Sequence, residues 1–575
     1  METKNCQNCK KDFIIGPEDF SFYEKIKVPP PTFCPECRMI RRMVFRNERS
    51  LYKTACVLCS KNMISMYAPE KPHVVYCNSC YSSDDWDPMS YGFDLNFKES
   101  FFKQLHHLMQ ITPRRNLYQD FAERSEYTNQ LVYVKNSYLC FGGRNYEDCA
   151  YCAQNFDLQN CIDVDFSSKC EYCFASFHLK RSSRLFYSSY SEDCIDSWFL
   201  YGCKNCSDCI GCTNLRNKSH CIFNEQYSKE AYDKKKTEFM LDTQKGIAEL
   251  DEMFVKYSAN FPRKFAYTRN AVNSTGDDLE QVKDCIRCFS ASGAENCRYS
   301  FFMPYGIIKD TYDVDHVGVG TSDSYEIHSG FGDNRVFFSN RVYFSHDVYY
   351  SDDCYNCEYL FGCVSLRKKS YCIFNKQYTK EEYNELVSKI ISAMNENKYI
   401  ESNGAAYAFG EFFPSSISPF SYNETVAQEY FTLSQESVEA KSHTFRSPEK
   451  RDYKVEIQPE NLPDIKSAED SIVNSVIGCK NKGSASLCTT AFRMIPTELI
   501  FYKRFNIPLP DTCPNCRHAD RISKMNPLKL WHRKCVCEIN SHGHNASCKN
   551  EFETPYSPER NEIVYCESCY QKEVL

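Results

Sequence analysis

Thiols at fixed spacing open and close this chain, and the chemistry they suit is metal binding. Near the start, Cys9 to Cys34 spans 25 residues, Cys34 to Cys37 spans 3 and Cys37 to Cys56 spans 19. Near the end, Cys488 to Cys513, Cys513 to Cys516 and Cys516 to Cys535 repeat those three intervals. The ruler resumes with 18 residues from Cys59 to Cys77 and from Cys548 to Cys566, closed by the pairs Cys77/Cys80 and Cys566/Cys569. The text between agrees. FYEKIKVPPPTFCPECR (22–38) reads against FYKRFNIPLPDTCPNCR (501–517), and YAPEKPHVVYCNSCY (67–81) against YSPERNEIVYCESCY (556–570).

A C-x2-C knuckle turns two sulfurs toward one point, and two knuckles supply the four thiolates of a tetrahedral zinc ion. The first set is Cys6, Cys9, Cys34 and Cys37; the second is Cys56, Cys59, Cys77 and Cys80. The third is Cys479, Cys488, Cys513 and Cys516, with eight residues inside its first knuckle. The fourth is Cys535, Cys548, Cys566 and Cys569, with ten residues inserted relative to the second set; Cys537, His542 and His544 lie in that insertion and could replace a ligand. About four structural zinc ions are expected, in closed sites with no position left for substrate. Disulfide pairing is the alternative and needs an oxidising compartment. The start METKNCQNC lacks the basic stretch and apolar core of a signal peptide, and no apolar run reaches a membrane span. The expectation is therefore a cytoplasmic protein with no membrane partner.

Net charge is −7, so the whole chain is no polyanion magnet, yet charge is uneven. Arg38, Arg41, Arg42, Arg46 and Arg49 follow the first CPEC, and residues 517–533 repeat the basic character. Such stretches beside a ribbon can grip phosphate, or they can be solvated charge.

The middle is a second duplication, offset by 151 residues: Cys203, Cys206, Cys212 and Cys221 map onto Cys354, Cys357, Cys363 and Cys372. SHCIFNEQYSKEAY (219–232) matches SYCIFNKQYTKEEY (370–383) at ten of fourteen positions. Cys140/Cys161, Cys149/Cys170 and Cys152/Cys173 each lie 21 residues apart, which reads as a shorter stacking period. Short aromatic and β-branched runs broken by Asn, Asp, Ser and Gly read as strands and turns. The fold class expected is mainly β: a duplicated β-solenoid-like body flanked by paired zinc ribbons, with short connecting helices. On that period Cys149 stacks over Cys170 and Cys152 over Cys173, as a ladder of buried thiols or, alternatively, a further metal site.

Helix signals frame the modules. Thr379 to Glu382 forms a capping box before Tyr383, Leu386, Ile390, Ile391 and Met394 at helical spacing, and Ser228 opens the matching segment. These helices are expected to cover the solenoids' open ends. FKESFFKQLHHLMQ (97–110) is amphipathic, with His106 and His107 on its surface, and 447–463 reads as an extended connector. The divisions are 1–82 and 471–575 for the double ribbons, 132–227 and 276–378 for the repeat modules, and 83–131, 228–275 and 379–470 for connectors.

No P-loop, GxGxxG, HExxH or GxSxG occurs, and GVGTSD (318–323) lacks the lysine of a phosphate loop. Asp313, Asp315, His316, His328 and His346 could form an acid/base cluster, or could be turn residues.

FIIGPEDFSFY followed by CPECR (13–38) resembles the probable zinc-ribbon domain of many bacterial proteins. Together with FGC-x2-LR-x-KSYCIFNKQY (361–378) and IVYCESCYQKEV (563–574), it resembles Cys-rich zinc-ribbon repeat proteins of candidate-phyla bacteria with small genomes. That resemblance implies an architecture and a cytoplasmic prokaryotic setting. Some members carry a CaiB/BaiF label, which would imply a CoA-transferase; the Cys-rich repeats do not resemble that fold. The function expected is a non-enzymatic zinc-stabilised scaffold that binds a macromolecule which the sequence does not name. Alternatives are a nucleic-acid or ribosome-associated protein acting through 38–53 and 517–533, or an enzyme, thiol-redox or metal-storage protein acting through the repeats. Oligomeric state is open.

Overall fold

The computed structural model describes residues 1–304, 306–447, 453–484 and 487–574; residues 448–452 of the expected connector lie outside them. The body is two parallel β-solenoids. The first runs from strand Gln119–Glu123 to Ser219–Ile222, the second from Thr268–Val272 to Ser370–Ile373. Each closes with an antiparallel fold-back, Glu225–Gln226 in one and Lys376–Gln377 in the other. The shared CIFN motif explains itself here. Asn224 and Asn375 adopt positive φ, and their side-chain amides clasp the backbone of Thr213 and Val364 in the coil before.

Pairing register sets the coil at twelve residues. Ile162, Phe174, Phe186, Trp198, Ile210 and Ile222 form one column of direct partners. Every third residue is left-handed, as at Asp148, Tyr151, Gln154, Asp157 and Asn160, so each coil turns four corners. Asn and Asp tolerate that conformation better than most residues, which accounts for their frequency between the aromatic runs. The 21-residue interval is thus seven triplets and not one coil, which corrects the stacking expected from it. Cys170 pairs with Leu158, and the Cys173 amide points to the sulfur of Cys161. The second solenoid is less regular. Its register steps by eleven residues at Thr268/Leu279, fourteen at Ala294/Ile308 and thirteen at Tyr312/Tyr325, then settles to twelve.

Cysteines 140–372 are all buried and, within each solenoid, recur at intervals divisible by three, because they fill the inward position of the triplet. Ser188 at such a position donates to the Phe186 carbonyl (3.0 Å) and accepts from the Leu200 amide (3.0 Å). Cys152 likewise points its thiol at the Ala150 and Cys161 carbonyls (3.3 and 3.5 Å). Cysteine here is a small apolar filler with a weak donor. Cys209 stacks directly on the Ser197 hydroxyl, so Cys209→Ser should shift stability by no more than about 1 kcal/mol in urea unfolding.

Corners also bring backbones close. At Gly143, where φ is +112°, a Cβ would collide with the Asn155 carbonyl oxygen one coil on. Gly143→Ala should cost at least about 2 kcal/mol, from conformational strain with a clash added, read as a lowered thermal midpoint.

The helices form as their signals require. Phe101–Ile111 buries Phe101, Leu105 and Leu108, leaving His107 exposed and His106 half-buried. Lys380–Glu396 carries the Thr379/Glu382 box, and it and Lys229–Glu238 pack on the last strand of their solenoids. The segment around 406–438 is more than a connector: Phe412, Phe413, Ile417, Tyr422, Val426 and Ala427 are buried in the largest core, against the N-terminal ribbons.

Ribbons and solenoids dock crosswise. The knuckle helix Pro35–Met43 of the first ribbon lies on strands Ile308–Val317 and Tyr325–Phe331 of the second solenoid. Its counterpart Pro514–Lys524 lies on Ile162–Asp165 and Phe174–Phe177 of the first. The outer ribbons follow the same rule: Tyr81 donates to Asp353 (2.6 Å), and Tyr570 to Asn214 (3.0 Å). The two ends meet over the short helix Val426–Tyr430, which both knuckle helices touch.

Candidate metal centres

In the first, second and fourth ribbons an antiparallel hairpin presents the first knuckle: Glu2–Asn5 with Asp12–Ile15, Tyr52–Ala55 with Asn62–Ser65, and Trp531–Lys534 with Glu551–Thr554. A two-residue ladder, Ile477–Gly478 with Ala491–Phe492, serves the third. In the first three ribbons, the leading cysteine of the second knuckle caps a helix. Cys34 precedes Pro35–Met43, Cys77 precedes Asn78–Tyr81 and Cys513 precedes Pro514–Lys524. Helix N-termini favour negative charge, so thiolates suit these places.

The structure brings together Cys6/Cys9/Cys34/Cys37, Cys56/Cys59/Cys77/Cys80, Cys479/Cys488/Cys513/Cys516 and Cys535/Cys548/Cys566/Cys569, with the sulfurs of each set within 4.8 Å of one another. Individual separations are 3.7 Å (Cys9–Cys34), 3.9 Å (Cys59–Cys77), 3.8 Å (Cys479–Cys516) and 3.9 Å (Cys548–Cys566). A tetrahedron with metal–sulfur bonds of about 2.3 Å has edges of about 3.8 Å, whereas a disulfide needs about 2.0 Å. One backbone bond recurs in all four sites. The amides of Cys34, Cys77, Cys513 and Cys566 donate to the sulfurs of Cys6, Cys56, Cys479 and Cys535 at 3.2, 3.2, 3.3 and 3.2 Å. Asn550 adds a side-chain donor to Cys566 at 3.3 Å. Donors to sulfur favour the thiolate, the form that binds metal. The inserted Cys537, His542 and His544 displace no member of the fourth set; they gather beside Cys569.

The arginines that read from sequence either as phosphate contacts or as solvated charge have buried partners within the chain. Arg38, Arg41, Arg42 and Arg46 are at most 5 % exposed. Arg38 pairs with Asp313 (2.8 Å), Arg42 with Asp315 (2.7 Å) and Asp313 (3.2 Å), and Arg41 with Glu326 (2.6 Å) and Glu411 (2.8 Å). Arg46 holds Glu48, and half-buried Arg49 lies 4.9 Å over the Phe141 ring. The other end repeats the arrangement: Arg517 and Arg521 pair with Asp163 (2.7 and 2.8 Å), and Arg521 with Asp165 (2.7 Å). Even the backbone contacts match, Arg42 to the Tyr299 carbonyl and Arg521 to that of Tyr151. Burial favours the neutral acid; it lifts Asp315 to about 6 and Glu326 to about 7 despite their arginines. At Asp165 burial is outweighed by Arg521 and His518, which hold the carboxyl below the usual range.

Four of the candidate acid/base residues stay together but are buried: Asp315 is the strand partner of His328, whose ring lies 5.3 Å from that of His316. Asp313 and Asp315 are used in docking, and His316 and His328 are buried and held neutral by burial and the nearby Arg46 charge. His346 sits on the surface between Asp347 and Glu358. Local spacing carries no sign that the docking carboxylates partner the arginines, because Arg38 and Asp313 are 275 residues apart.

Fold and sites define a mainly β protein: two β-solenoids flanked by Cys-tetrad ribbons near both termini. No family model matches the chain. A stretch of 66 residues is 38% identical to LIM domain-containing protein C of Dictyostelium discoideum, covering 10% of this chain and 36% of that protein. The chain thus spans about a third of the length of that curated relative. Among solved structures, a putative acetyltransferase from Desulfovibrio desulfuricans G20 aligns over 46% of this chain and 69% of its own at 10% identity, with a TM-score of 0.11, too low to define a common fold. Among the described residues no helix is long and apolar enough to cross a membrane.

Proposed function

We propose that the four tetrads hold zinc and that the chain is a cytoplasmic, non-enzymatic scaffold that presents its solenoid surface to a macromolecular partner. The observation that carries this reading is the set of sulfur separations near 3.8 Å, which suits closed tetrathiolate sites. Closed sites organise structure and leave no coordination position for substrate. The partial likeness to a LIM-domain protein supports it, since LIM domains are structural zinc modules. Arg38, Arg41, Arg42, Arg517 and Arg521, with Asp313 and Asp315, are engaged in docking. What faces outward includes a column of aromatics on the second solenoid, Phe331, Tyr343 and Tyr355, flanked by Phe344. Exposed aromatic surface is the kind that partners bury.

A photo-crosslinking residue at position 344 tests the reading in cells that produce the chain. One dominant adduct, lost when zinc is chelated, is the expected result. A scatter of unrelated adducts counts against it. In parallel, RNA-binding titrations at rising salt should show weak affinity; tight binding with a steep salt slope would instead favour the nucleic-acid alternative.

A further inference from the structure

The insertion in the fourth ribbon carries more ligand chemistry than its tetrad can use. Between Cys535 and Cys548 it brings in Cys537, His542 and His544, where the second ribbon has only Val57 and Leu58 between its cysteines. The structure folds the insertion back onto Cys569. The Cys537 sulfur, a His542 ring nitrogen and the Cys569 sulfur lie within 4.8 Å of one another, and Cys569 also belongs to the tetrad. Cys537 Sγ is 3.3 Å from His542 Nδ1, and Cys569 Sγ is 3.6 Å from His544 Nε2. For bonds of about 2.3 Å to sulfur and about 2.0 Å to nitrogen, a tetrahedral edge between them is about 3.5 Å.

Both imidazoles are turned as ligands are turned. His542 directs Nε2 toward the Glu573 carboxylate at 3.4 Å, leaving Nδ1 toward Cys537. His544 directs Nδ1 to the Ala546 carbonyl at 2.5 Å, leaving Nε2 toward Cys569. A metal-binding histidine commonly gives its other N–H to a carboxylate or carbonyl in this way. Cys537, His542 and Cys569 are buried, which suits a filled site, while half-buried His544 touches Cys569 from outside the 4.8 Å group and would close the coordination from the solvent side.

We propose that this ribbon binds two zinc ions bridged by the Cys569 thiolate. One ion takes Cys535, Cys548, Cys566 and Cys569; the other takes Cys537, His542, His544 and the same Cys569 sulfur. Seven side chains supply two four-coordinate ions because one is shared. Five thiolates against two divalent ions leave a net charge of −1, whereas a lone tetrathiolate site carries −2, so the second ion relieves charge in a buried place. The proposal rests on the reading of the tetrads as zinc sites.

Metal content of the full chain, purified under reducing conditions, tests it by elemental analysis. About five zinc per chain is expected, falling to about four in the Cys537→Ser, His542→Ala double variant, which keeps all four tetrads. About four in the unaltered chain overturns the bridged pair and leaves the tetrads standing. Fewer overturns both readings. Five in both proteins overturns the ligand assignment. Should the variant not fold, cadmium-113 NMR of the cadmium-loaded unaltered chain decides. A shared sulfur couples two cadmium resonances, and an absence of any coupled pair overturns the bridge.

Discussion

Removing the zinc proposed for the tetrads should unfold all four ribbons and free both ends from the solenoids. Each structural zinc contributes on the order of 10 kcal/mol of folding free energy in isolated modules, far more than a knuckle's few buried side chains provide. The test is hydrogen exchange before and after treatment with a strong chelator. Amides of the hairpins Glu2–Asn5, Tyr52–Ala55 and Trp531–Lys534 should lose protection. Strands such as Ala153–Gln159 and Asn334–Tyr343 should keep it, since their bonds run from coil to coil and their inward thiols serve carbonyls. Uniform protection after complete metal removal would mean that the ribbons stand on packing alone.

Arg42→Met should cost about 3–5 kcal/mol, the penalty for leaving a buried charge without its partner. Asp315 is fully buried and takes its charged hydrogen bonds from Arg42, so the variant must either protonate that carboxyl or lift the knuckle helix away. Arg521→Met at the matching place should cost less, because Asp165 keeps His518 and Asp163 keeps Arg517. Adding Asp315→Leu to Arg42→Met should recover most of the loss, since a well-packed apolar pair is often as stable as the ion pair it replaces. Urea unfolding measures all three. A cost below about 1 kcal/mol for Arg42→Met, the range of exposed pairs, would mean that water reaches this interface.

The tetrads were legible because a metal site is written in local spacing. Cys34 and Cys37 must sit on one knuckle, and their duplicate Cys513/Cys516 repeats the rule. The solenoid was legible as strands and turns, while its coil was not. Only some inward positions are cysteine, and serine, leucine, valine and others fill the rest, as at Ser188, Leu185 and Val164. The interval of 21 is a multiple of the three-residue corner step, so it coincides in the cysteines alongside the true coil step of twelve, which Cys149/Cys161 and Cys209/Cys221 also show. The capping box at Thr379 came through intact because helix starts are decided within one turn. The role of the arginines did not, since a basic run reads alike in water or in a core until the opposing acid is placed, and Arg38 meets Asp313 only through the fold.

Crosswise docking sets a schedule on the growing chain. The C-terminal ribbons emerge to find Asp163 and Asp165 already assembled in a finished solenoid. The N-terminal ribbons have no such reception. Arg38 and Arg42 leave the ribosome about 275 residues ahead of Asp313 and Asp315. At about 5–20 residues per second that is an interval of roughly 15–55 s. For that time the first ribbon displays a cationic helix face that is buried in the finished fold. A truncated chain would display it permanently, as a mark by which quality control could tell unfinished copies from complete ones.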